Sequence, residues 1–347
     1  MRLRPLAVQV WPVLLYGLMS RTTQSETQRS YTGYLLVAAA AALWATSGPI
    51  SRTLYDQGLT PLEVSFWRTA AAAALFILRL CLTSSSSGTR MNARHLPAMA
   101  VFGAFGIGTF MVSLAYAIET GGINLAVILL YTSPVFVAVG ARLWYHEPLG
   151  AQKIVLIALT MLGVILIATG GGRGISVSAV SLAWGFAAAF TYATYFLVGK
   201  WAIARYSPLQ FLAYVFPVAA VAILPFVRFG TYSLSVFFWL ALLSVVTTYL
   251  PYLLYYRGLA GVQISRAVVV ATVEPVIAAI FAAVFFGELY SARALIGALF
   301  VLTAATRASM PERRSRRALD RASETEEVLT YAVPPYGPAE PENEPEG

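Results

Sequence analysis

The chain has 347 residues, of which 58% are hydrophobic and only 12% are charged. A soluble domain carries about 25% charge, so the composition excludes a soluble globular protein and points to an integral membrane protein. The net charge of +8 would suit nucleic acid in a soluble chain; here the placement of the cations about a bilayer matters more than their sum, and no nucleic-acid partner is expected. One cysteine, Cys81, and two histidines, His95 and His146, both at membrane edges, give neither a disulfide framework nor a metal site, and no cofactor is expected.

Residues 1–30 read as an N-terminal cytoplasmic extension. Leu6 to Leu18 behind Arg2 and Arg4 resembles the apolar region of a signal peptide, without a small-residue cleavage pattern after it. It is short for a spanning helix, so an interfacial helix, or an extension upstream of a start at Met19, fits better. Ten apolar runs follow, each able to cross a hydrocarbon core of about 30 Å as a helix. In chain order they are Tyr31–Ile50, Pro61–Leu82, Leu96–Ala117, Gly122–Tyr145 and Ala151–Gly170, then Val177–Val198, Pro208–Val227, Leu234–Tyr256, Val262–Phe286 and Ala292–Thr306. Residues 31–170 form a first five-helix unit, 171–176 a linker and 177–309 a second five-helix unit. The linker glycines beside Arg173 resemble a phosphate loop but lack its Lys-Ser/Thr pair, so they read as a flexible connection. Residues 310–347 turn abruptly to arginines and then to glutamates and prolines, the composition of a disordered cytoplasmic tail. With the N-terminus in the cytoplasm, about 18 of the 24 Lys and Arg fall on that side, so both termini of this multi-pass protein are expected at the cytoplasmic face of the inner or plasma membrane.

The two halves repeat. Asn124-Leu125-Ala126-Val127 leads through Pro134 to Glu147, and Ser265-Arg266-Ala267-Val268 leads through Pro275 to Glu288, at an offset of 141. Trp44-Ala45-Thr46 with Arg52 matches Tyr192-Ala193-Thr194 with Lys200, and Thr60-Pro61-Leu62 matches Ser207-Pro208-Leu209. Three anchors in the same order exceed chance similarity between Ala-rich helices. Five spans per half is odd, so the second half enters the membrane upside down. The expected fold is all-α, ten transmembrane helices as two inverted five-helix repeats, with binding near the midplane between them.

The two Pro-x12-Glu blocks, the Leu-Trp-Ala of the first span and Phe66-Trp67-Arg68 of the second make residues 31 to 309 resemble the drug/metabolite transporter superfamily, in its ten-helix EamA-type branch. Gly287 before Glu288 fits the family's glycine-glutamate pair, whereas His146 replaces that glycine before Glu147. The resemblance implies a proton- or gradient-coupled carrier of small metabolites, often an exporter, without naming a substrate.

A charge at the bilayer centre costs about 2.5–3.5 kcal/mol or more, so Arg68, Arg266 and Glu274 need partners or a wet cavity. Glu274, directly before Pro275, is expected to take up a coupling proton or bind a substrate amine, unless it is paired permanently with Arg68 or Arg266. Arg68, about two turns into its span, either neutralises an anion or snorkels to the interface, and its depth and the neighbouring Glu63 favour the latter. Asn124 and Tyr131 offer polar groups from the fourth span. Trp44, Tyr116, Tyr192 and Tyr252 offer aromatic walls suited to an amine, with Tyr195 a further aromatic of the sixth span. Arg266 and Glu274 complete the expected substrate-binding set. Pro134 and Pro275 are expected gating points, and Glu147 and Glu288 helix-end anchors. Gly103, Gly106 and Gly108 would let helices approach closely.

The function expected is secondary active transport, with export of amino acids or related amphipathic solutes, the lipid bilayer and a coupling proton as further partners, and a monomer or homodimer as the unit. The competing readings are an intramembrane lipid-modifying enzyme and a non-transporting membrane sensor. No His-Glu-x-x-His, Gly-x-Ser-x-Gly or acidic metal cluster favours the enzyme.

Overall fold

A computed structural model describes residues 30–83, 91–170, 176–287 and 291–310. The N-terminal extension, most of the glycine linker, Glu288 and the C-terminal tail lie outside the described residues. Among the described residues there are helices and no strands, and nine helical runs are long and apolar enough to cross a membrane. The longest, Ala93–Tyr145, has 53 residues; as one straight helix it would stretch about 80 Å, against a hydrocarbon core of about 30 Å. It is broken at Gly122, whose φ of 80° and ψ of 161° only glycine adopts readily. That run is therefore two crossings, which makes ten among the described residues.

The spans are α1 (Ser30–Asp56), α2 (Pro61–Thr83), α3 (96–121), α4 (123–145), α5 (Ala151–Gly170), α6 (Ala179–Ile203), α7 (Pro208–Phe226), α8 (Leu234–Leu259), α9 (264–286) and α10 (Ala292–Ser309). α1 continues past its expected end at Ile50, carrying Ser51, Arg52 and Tyr55 on one more turn and a half.

Local chemistry repeats from half to half. Thr60 and Glu63 form a reciprocal cap at the start of α2, with Thr60 N–H donating to Glu63 Oε2 at 2.7 Å and Glu63 N–H to Thr60 Oγ1 at 3.2 Å. Ser207 and Gln210 do the same for α7 at 3.1 and 3.2 Å, so the shared Ser/Thr-Pro-Leu block is a capping box with proline in the first turn. Thr46 and Thr194 each donate to the carbonyl three residues back, Leu43 and Thr191. α3 and α8 each contain a π-helical segment, Phe102–Gly108 and Val245–Tyr249. Gly103, Gly106 and Gly108 lie in the first of these, where α3 packs on α7. α5 and α10 meet at Gly163 and Gly297, where a β-carbon on either would stand 2.7 or 2.5 Å from the other's carbonyl oxygen.

The proline blocks break their spans at matching places. α4 stops at Leu130 and restarts as Ser133–Tyr145, and α9 runs as Ile264–Ala271 and then Glu274–Phe286. Pro134 and Pro275 are each the second residue of the new half-helix; a proline there lacks the N–H that would continue the ladder and clashes with the preceding turn. Carbonyls exposed by the break are taken up locally, Leu129 O by Thr132 Oγ1 at 2.6 Å and Val269 O by Thr272 Oγ1 at 2.5 Å.

α4 ends on a left-handed residue, His146, with φ 53°, and the equivalent residue after α9 is Gly287, with φ 64°. The left-handed cap costs an L side chain about 1–2 kcal/mol, offset in part by glycine's greater freedom when unfolded. His146→Gly should therefore raise stability by about 0.5–1 kcal/mol, read as a higher Tm in detergent micelles.

Candidate functional site

A cavity of about 340 Å³ sits between the repeats, at the small end of the range for small-molecule sites. Its lining comes from mid-span positions and from the span ends on one face of the protein: Arg52 and Tyr55 near the end of α1, Pro61 at the start of α2, Ile118 near the end of α3, Ile123 at the start of α4 and Ala168 near the end of α5. The cavity thus belongs to the face at which α1 ends. Toward the other face its floor is aromatic. Trp44 meets Tyr252 edge-on with ring centres 5.5 Å apart, and Phe110 stacks on Tyr192 at 5.2 Å. One turn further along the same helices, Tyr195, Tyr255 and Tyr256 are fully buried and close the path.

Of the expected substrate-binding residues, Trp44, Asn124, Tyr131, Tyr192, Tyr252 and Glu274 line this cavity. Glu274 is half-buried at the first position of its half-helix, where the helix dipole favours a negative charge. The Tyr131 hydroxyl donates a hydrogen bond to its carboxylate. Pro275 lines the cavity beside it, whereas Pro134 is buried away from it.

Two expected residues lie elsewhere. Tyr116 turns to the opposite side of α3 and stacks on Trp184 at 5.0 Å. Arg266 is 7% exposed; its Nη1 donates to Ala308 O at 3.4 Å and its guanidinium also bonds Tyr34, so it joins α9 to α10 and α1. Eight residues separate Arg266 from Glu274 on a span that is broken between them, and the two face different surroundings.

Arg68 departs from the snorkelling expectation. Its side chain points inward, with Nε donating to Thr248 Oγ1 and Nη2 to Thr247 O, both at 3.1 Å. Glu63 does not pair with it. That carboxylate accepts from Gly230 N–H at 3.1 Å and Tyr232 Oη at 2.8 Å, tying α2 to the loop before α8. Arg68 and Glu274 feel each other's charge across the cavity without forming an ion pair. Arg52, Tyr55 and Phe110 also line the cavity, outside the expected set. The first two follow Trp44 and Gly48 at helical spacing on a face that runs beyond the apolar end of α1, a period that the hydrophobic boundary hides.

Glu147 sits at a helix end, but of another span. Its carboxylate accepts from the backbone N–H of Ile264 at 2.9 Å and of Ser265 at 3.3 Å, and from Ser265 Oγ at 2.5 Å, with Lys153 Nζ at 3.6 Å. It caps the N-terminus of α9 and joins the two repeats on the face away from the cavity. On the same face, within the second repeat, Lys200 donates to Leu259 O and Val262 O, both at 2.7 Å.

Ten crossings in two repeats around a central cavity lined on one side define a class of membrane protein, one in which a solute site is built between inverted halves. The sequence matches the EamA-like transporter family over residues 31–169 and 179–309, and the chain belongs to that family. It is similar to an uncharacterized transporter of Archaeoglobus fulgidus, 26% identical over 74% of this chain and 89% of the relative. It is similar also to the uncharacterized inner membrane transporter YicL of Salmonella typhimurium, 24% identical over 82% and 98%. A Streptantibioticus cattleyicolor relative, named a probable terminal-alkyne amino-acid exporter, is 25% identical over 73% of this chain and 85% of its own. A solved crystal structure superposes with a TM-score of 0.69 at 16% identity, covering 81% of this chain and 98% of that one, which shows a shared fold. The protein is a multi-pass membrane transporter.

Removing the Glu147 carboxylate leaves the first N–H groups of α9 without their acceptor. Glu147→Ala should cost about 1–2 kcal/mol and speed amide exchange over residues 264–271, while Glu147→Gln, which keeps an acceptor oxygen, should cost less.

Proposed function

We propose that this protein is a secondary active transporter that exports amino acids or related amphipathic zwitterions across the cytoplasmic membrane, by alternating access of its two inverted repeats. The observation that carries the reading is one cavity holding a cation, Arg68, and an anion, Glu274, unpaired with each other and set among aromatic rings. Two opposite charges in a site walled by apolar and aromatic groups complement a solute with a carboxylate, an ammonium and an apolar side chain. The name of the Streptantibioticus relative supports an amino-acid substrate.

With both termini cytoplasmic, as the distribution of Lys and Arg favours, the cavity faces outward. Glu274 is then reached by external protons in the state that releases solute. A proton on its carboxylate removes the charge that holds an ammonium, so proton and solute compete for one group and exchange across the membrane. The ties of Glu147 and Lys200 keep the inner face shut in this state, and the breaks beside Pro134 and Pro275 give each repeat a point at which to bend. Turnover of lipid by the purified protein would favour an enzyme instead, and ligand binding without flux a sensor.

The test is reconstitution in sealed proteoliposomes with a panel of labelled amino acids and amines. The parent should exchange an amino acid in counterflow and accumulate it under an imposed proton gradient. Glu274→Gln should abolish gradient-driven accumulation; a folded variant that accumulates every solute at the parental rate overturns the role given to Glu274.

A further inference from the structure

We infer that Arg68 is the group that holds the carboxylate of the transported solute, and that Thr247 and Thr248 of α8 aim it. The inference rests on the reading of the cavity as a zwitterion site and deepens it. A guanidinium has five N–H donors in a rigid planar fork, two of them along its Nε–Nη2 edge and two along its Nη1–Nη2 end. In Arg68 the first edge is occupied. Nε donates to Thr248 Oγ1 and Nη2 to Thr247 O, consecutive residues of α8, at 3.1 Å each.

Both acceptors come from the segment Val245–Tyr249, where the helix widens to π geometry. A carbonyl inside a regular α-helix is taken by the N–H four residues on, but for Thr247 that residue is Pro251, which has no N–H, so its carbonyl is available to a side chain. The turn therefore clamps the guanidinium by one edge and fixes its plane.

The end edge is left over. The two Nη1 N–H groups and the second of Nη2 have no acceptor among the described residues, yet Arg68 is half-buried and lines the cavity. Those donors face the cavity, where a solute can accept from them in place of water. Glu274 is not that acceptor, since the two charges interact without an ion pair. A carboxylate matches the open edge with two parallel hydrogen bonds, whereas an amine has nothing to offer it. A solute bound by its carboxylate at Arg68 and its ammonium at Glu274 lays its side chain on Trp44 and Tyr252.

Three probes that share one ring and chain separate the groups: L-phenylalanine, 2-phenylethylamine without the carboxylate, and 3-phenylpropionate without the amine. If counterflow selects another amino acid, its decarboxylated and deaminated analogues replace them. Binding is measured on the purified full-length protein. Arg68→Gln should weaken phenylalanine and phenylpropionate about tenfold or more, and bind phenylethylamine as tightly as the parent or tighter, because a cation near the ammonium site is gone. Arg68→Lys, which keeps the charge without the fork, should still lose about threefold or more for both carboxylates. Thr248→Val, which loosens the clamp, should lower affinity for the carboxylates and leave the amine unchanged.

A uniform loss across all three probes would show a damaged fold and overturn the assignment, as would unchanged carboxylate binding in Arg68→Gln. In either case the carrier reading stands if the parent exchanges amino acids in counterflow. A parent that exchanges none and binds none of the probes sinks the zwitterion reading and this assignment together.

Discussion

A helix in hydrocarbon satisfies its own backbone only while it remains continuous, so a span broken at its middle must find other partners for the groups it frees. That constraint shapes this protein. Each repeat has one span broken ahead of a proline, α4 or α9, and each of these breaks comes immediately before a proline-led half-helix. Thr132 and Thr272 supply part of what is missing. The second break begins with Glu274, a charge that the hydrocarbon tolerates only beside a polar cavity. The cavity, the broken helix and the carboxylate depend on one another.

The repeats are related in architecture and unequal in chemistry. The position of Glu274 in the second repeat is held in the first by Ser133, which is buried outside the cavity. Trp44 and Tyr192, also equivalent by sequence, both line the cavity. The closed face is held by polar ties, Glu147 joining the halves at the start of α9 and Lys200 binding α6 to the end of α8 within the second repeat, whereas the open face presents Arg52, the sequence counterpart of Lys200, to the cavity. An inverted repeat places equivalent residues on opposite faces, so a tie on one face and a cavity residue on the other come from the same ancestral position.

The positive φ shared by His146 and Gly287 shows how a departure from the family pattern is accommodated. The backbone keeps the glycine conformation and the side chain bears the strain, because the left-handed turn is what brings Glu147 back to the N-terminus of α9. Here the fold overrides the local preference of the residue.

The number of spans, their repetition and the break points were legible in the chain, since each follows from a local cause: apolar length, capping residues in Thr60-Pro61 and Ser207-Pro208, and the missing N–H of Pro134 and Pro275. Six of the eight expected substrate-binding residues line the cavity too, because a charge or an aromatic-polar stripe in an apolar span has few places to go. What only the tertiary structure decided was direction. Arg266 and Arg68 are both arginines inside spans, yet one turns to α10 and α1 and the other to a π turn of α8 nearly 180 residues away. Tyr116 faces Trp184 rather than the cavity by a rotation of α3 that its own sequence does not encode. Which face of a helix meets which neighbour is set by the packing of all ten spans at once, and a pattern apolar on nearly every side carries almost no record of it.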